Sequence, residues 1–148
     1  MDLLSNGSIP DPFIGKNEEL VQWVGEKTWT YQTTFSLPRD TFQQPKVRVA
    51  LVFEGLDTFA TVKLNNREVL KSNNMFLHHR VQITPEMLDL RQDEDTVQTL
   101  QLKFEPAERL GEEEMEKHPT HDWFTFNSGA SRLAVRKAQY HYVSLVSS

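Results

Sequence analysis

Large apolar residues recur along this chain with a period of two. In Trp29-Thr30-Tyr31-Gln32-Thr33-Thr34-Phe35-Ser36-Leu37 they fall on odd positions, and Val47-Arg48-Val49-Ala50-Leu51-Val52-Phe53 repeats the pattern with Arg48 turned away. Such alternation belongs to strands with one buried face. Pro38 closes the first segment, and Gln43-Gln44-Pro45 precedes the second. Phe59–Leu64 and Arg67–Leu70 flank Asn65-Asn66, a pair that tolerates positive φ and so predicts a two-residue hairpin turn. Phe76–Ile83 is a further strand, with Leu77, Val81 and Ile83 on one face. Pro85–Leu90 is a single helical turn capped by Thr84. Leu100–Phe104 returns to the strand pattern, and Leu133–Tyr142 supplies a last one. Between them Ala107–His118, rich in Glu, reads as a short exposed helix or an excursion between strands. Six or so short strands separated by turns predict an all-β fold, an antiparallel β-sandwich with short helical excursions.

Composition narrows the function classes. The 148 residues suit one domain, and 15 aromatics (9 Phe, 3 Tyr, 3 Trp) can seed its core. Sixteen Lys and Arg against 21 Asp and Glu give a formal charge of −5, which argues against nucleic acid as a partner. No apolar run is long enough to span a membrane. The chain has no Cys, which excludes disulfides and thiolate chemistry. With no basic and apolar leader after Met1, the expected location is cytoplasmic.

Candidate chemistry is sparse. No carboxylate pair stands out for general acid/base work, so no catalytic residue is assigned. Glu54 and Asp57, in Phe53-Glu54-Gly55-Leu56-Asp57-Thr58, are expected to order a turn. His118 and His121 lack a third ligand, and the neighbours His78 and His79 point to opposite strand faces, so no metal or other cofactor is expected. His141 adds nothing. Trp29 belongs on a core face, whereas Trp23 and Trp123 lie in loops and are open to sugar stacking or interface packing.

Three strings carry a family resemblance. Ile9-Pro10-Asp11-Pro12-Phe13-Ile14-Gly15-Lys16-Asn17-Glu18, followed by Gln22-Trp23-Val24-Gly25 and Trp29-Thr30-Tyr31, resembles the start of family 2 glycoside hydrolases of the β-mannosidase type. Phe53–Asn65 resembles the family's hairpin signature. Ala130-Ser131-Arg132-Leu133 with Val135-Arg136-Lys137-Ala138-Gln139-Tyr140 resembles the segment leading into its active-site loop. The match runs through residues 2–142 and is most similar to the intracellular fungal type. The resemblance implies a jelly-roll, galactose-binding-like domain that precedes immunoglobulin-like domains and a (β/α)8 barrel. In the family that barrel carries both catalytic glutamates and hydrolyses terminal, non-reducing β-D-mannose with retention.

The implied partners are therefore β-mannoside oligosaccharides and the remaining domains of a parent enzyme. Arg136 and Gln139 would support the substrate loop or a domain interface, and Trp123 and Trp23 join them as candidates. After His141-Tyr142 the family continues into a Gly-Trp-Asp-Trp-Gly-Pro loop, where this chain reads Val143–Ser148. Residues 1–142 are thus expected to form the domain without its first strand, and 143–148 a divergent tail. The alternatives are a stand-alone, lectin-like carbohydrate-binding module or a non-functional truncated product whose open sheet edge promotes association.

Overall fold

The computed structural model of the chain describes residues 3–42, 47–89 and 97–117. Among the described residues six strands match segments of the alternation: β1 Trp29–Ser36, β2 Val49–Phe53, β3 Ala60–Leu64, β4 Arg67–Ser72, β5 His79–Ile83 and β6 Val97–Phe104. All pairings among the described residues are antiparallel. One sheet has the order β1-β6-β3-β4, and β2 pairs with β5 in a second.

The inward residues of β3 fix how the sheets stack. Ala60, Val62 and Leu64 are buried on one face, and Val62 and Leu64 are fully enclosed. Val62 and Ala60 join Leu56, with Phe53, Leu70, Leu100, Leu102 and Phe104 packed around them. Leu64 gathers Val49 and Leu51 of β2, Val81 and Ile83 of β5, Phe35 of β1, and Leu88. Residues of both sheets meet in that second cluster, so this is the sandwich the period-two pattern predicts.

The β3–β4 hairpin turns on Asn65 and Asn66, at φ 50° and 65°. Both central residues are left-handed, as a tight turn that follows the strand twist requires. Asn65 also ties the hairpin to the rest of the fold. Its backbone N–H donates to the Thr99 carbonyl (2.9 Å), and its side-chain oxygen accepts the Thr99 N–H (2.9 Å). Its amide donates to Gln98 Oε1 (2.6 Å) and to the Met87 carbonyl (3.1 Å). Gln98 is fully buried. Its Oε1 also accepts the Asp89 N–H (2.9 Å), and its Nε2 donates to the Asp89 carbonyl (3.2 Å). This pinning extends β6 back to Val97, three residues before the expected Leu100.

Other departures have local causes. β1 was expected to bury one face, but only Trp29 and Phe35 are half-buried and Tyr31 is 55% exposed. Among the described residues β1 pairs with β6 alone, so it is an edge strand away from the β3-centred core. β5 begins at His79 rather than Phe76. Asn74 Oδ1 accepts the Phe76 N–H (3.0 Å) and folds Phe76 and Leu77 into a turn, leaving both exposed. Pro85–Met87 is a 3₁₀ turn with Thr84 at its N-cap, as expected, yet the Thr84 hydroxyl does not bond the turn's backbone.

Three helical elements escape the period-two reading: α1 Asn17–Leu20, and short 3₁₀ turns at Gln22–Val24 and Arg39–Phe42. The Glu-rich stretch forms α2, Ala107–Lys117, with exposed i,i+4 and i,i+3 pairs from Arg109 to Glu113 and from Lys117 to Glu114. No helix among the described residues is long and apolar enough to cross a membrane. The expected Leu133–Tyr142 strand lies outside the described residues.

Replacing Gln98 with Leu leaves one N–H of the Asn65 amide and the Asp89 backbone groups without the partner Gln98 gave them. Urea unfolding of Q98L should show a loss of about 2–3 kcal/mol. The Thr84 hydroxyl, foremost, holds the Glu86 carboxyl below its usual range, helped by the Glu86 backbone and by Arg67. A depressed acid favours the folded state above its unfolded pKa and loses that contribution as pH falls through the folded value. Carbon-detected NMR titration should place Glu86 below ordinary glutamates, and Thr84→Val should move its midpoint upward.

Candidate functional site

Residues Asp11–Trp29 fold into a corner at the root of β1, built from successive short turns. The Asp11 carboxylate accepts the Phe13 N–H (2.9 Å), and the Asp11 carbonyl accepts the Asn17 side-chain amide (2.9 Å) and the Ile14 N–H (3.2 Å). Gly15 takes φ +60°, which an L side chain resists. The 3₁₀ turn at Gln22–Val24 then presents Trp23. The Trp29 indole N–H donates to the Val24 carbonyl (2.8 Å), and the two indoles lie 6.1 Å apart at a 44° tilt. Trp29 is thus half-buried and anchors this turn, where a core position was expected. Trp23 packs on it and remains 37% exposed.

Pairing of Trp29 with Phe104 brings the corner beside the start of α2. Gly25, Glu26, Pro106, Glu108, Arg109 and Glu112 line a shallow groove of about 280 Å³ there. Three carboxylates face a single guanidinium, and Arg109 already donates to Glu113 (2.6 Å). The groove is therefore acidic and unsuited to phosphate. No group of three or more metal-ligating side chains occurs among the described residues.

The remaining candidates divide. The Thr58 hydroxyl donates to the Asp57 carboxylate, so Asp57 orders its turn as the sequence implies. Glu54 was expected to help, but it is exposed and no hydrogen bond joins its side chain to a described residue. Gly55 constrains that loop instead. A Cβ there would stand 2.6 Å from the Met75 carbonyl oxygen, so only glycine lets the two backbones approach. His78 is exposed, while His79 is half-buried with Nε2 3.2 Å from Ser72 Oγ. Trp123, Arg136, Gln139, His118, His121 and His141 lie outside the described residues. Sequence reasoning missed the Asp11–Asn17 clasp and the Gln98 knot. Only the Asn65-Asn66 pair hinted at the second.

With this geometry in view, comparison with known proteins is specific. The family profile described as glycosyl hydrolase 2 galactose-binding domain-like matches residues 1–143. β-Mannosidase B of Thermothelomyces thermophilus is 50% identical over 143 residues, which cover 96% of this chain and 16% of the relative. β-Mannosidase B of Emericella nidulans is 46% identical over 145 residues, covering 95% and 16%. The crystal structure of the β-D-mannosidase of Dictyoglomus thermophilum superposes with a TM-score of 0.78 at 30% identity, over 95% of this chain and 16% of that one. The chain thus spans about one-sixth of the length of these relatives.

Trp23→Ala removes the ring contact that braces the corner without opening the β3-centred core. It should lower stability by about 1 kcal/mol in urea unfolding.

Proposed function

Since this chain belongs to the glycosyl hydrolase 2 galactose-binding-like family, we propose that it serves as the N-terminal accessory β-sandwich of a β-mannosidase. The parent enzyme releases terminal, non-reducing β-D-mannose from β-mannosides with retention. One observation carries this reading: 50% identity that runs nearly end to end through this chain yet occupies only 16% of a β-mannosidase.

Retaining hydrolysis needs an acid/base and a nucleophilic carboxylate about 5–5.5 Å apart across the glycosidic bond. The sandwich supplies a rigid two-sheet body instead, and its acidic groove offers no enclosed sugar pocket. Hydrolysis is therefore assigned to the rest of the parent polypeptide, and this domain contributes packing and support. Within this reading Arg136, Gln139 and Trp123 keep the loop-support or interface roles that the family resemblance implies, and Trp23 is an interface residue.

The purified 148-residue chain should release no nitrophenol from 4-nitrophenyl β-mannoside above a buffer blank, and calorimetry with millimolar mannose should be silent. Turnover by the chain alone would refute its accessory role. Heat of binding would favour the lectin.

A further inference from the structure

The Asp11–Trp23 stretch inverts the usual order of a surface loop. Its polar groups are spent on the backbone: Asp11 holds the Phe13 N–H, Asn17 reaches back to the Asp11 carbonyl, and the Gln22 amide donates to the Glu18 carbonyl (3.0 Å). Its apolar side chains point outward. Phe13 is 80% exposed, Ile14 63%, Leu20 65% and Trp23 37%. Four large hydrophobes within eleven residues are thus exposed on a stretch pinned by side-chain clasps, more apolar side chain than a surface loop needs. Its charges are Asp11, Glu18 and Glu19 against Lys16, with Glu26 just beyond Trp23. Such an acidic rim disfavours a second copy of the same face and suits an apolar surface with a basic rim.

We infer that Phe13, Ile14, Leu20 and Trp23 form the docking surface of this domain for the remainder of its parent polypeptide. This rests on the accessory-domain reading. A relative that is 50% identical to the chain carries a much longer polypeptide outside the matched region, and an apolar surface on so short a span of it has an occupant close at hand. Phe13 and Trp23 are the anchors, since exposed aromatics on rigid backbone dominate such contacts.

The test is a hybrid enzyme: β-mannosidase B of Thermothelomyces thermophilus with this chain in place of its 143 matching residues. Hydroxyl-radical footprinting compares the hybrid with the 148-residue chain, using Leu64 as the buried reference. Phe13 and Trp23 should be modified at least tenfold more slowly in the hybrid. Phe13→Ser with Ile14→Ser should return Trp23 to the rate of the isolated chain, whereas Phe13→Leu should leave it protected. An active hybrid whose Phe13 and Trp23 react as fast as in the isolated chain overturns the docking surface and leaves the accessory-domain reading intact. A hybrid without β-mannosidase activity overturns that reading, and the docking surface with it.

Discussion

The fold depends on one buried amide. Gln98 sits in the β6 wall of the larger sheet with no contact with water, and it survives there because its neighbours satisfy it. Its oxygen accepts from Asn65 and Asp89, and its nitrogen donates to Asp89. An unsatisfied amide at this depth would oppose folding strongly, so the knot allows only one arrangement of its parts. It fixes the hairpin turn against β6, draws the 3₁₀ turn and Asp89 onto the sheet end, and sets the β3–β6 register. Leu64, Ile83 and Leu88 pack under that framework.

What lies far from the knot is held differently. β1 is joined to the sheet through its ladder with β6, and most of its side chains remain exposed. Its root is secured by indoles and turns rather than by the apolar core. The molecule therefore has a centre ordered by buried packing and polar closure, and a corner ordered by local clasps. That division suits a domain that keeps its own core while offering its periphery to another surface.

The strands were legible because alternation over five to eight residues leaves few other structures possible, and Asn65-Asn66 marked its turn by the chemistry of positive φ. The family strings made the domain type legible as well. Strand ends were less so, because Asn74 and Gln98 act through hydrogen bonds that hydropathy does not encode. Trp29 obeys the alternation, yet its indole N–H sought the Val24 carbonyl, and that polar end drew it from the core to the corner. Glu54 looked important through its motif, but the constraint beside it belongs to Gly55 and the Met75 carbonyl. Contacts between residues twenty positions apart leave no periodic trace.

The two indoles at the corner have an optical consequence. At 6.1 Å the two indoles lie close enough for their transition dipoles to couple, and wherever those dipoles are skewed the pair gives bands of opposite signs in circular dichroism. Those bands depend on the seating of the Val21–Trp29 turn, whereas the amide signal of the strands depends on the knot and the core. One spectrometer can therefore follow the loosening of the corner separately from the melting of the sandwich, without an added label.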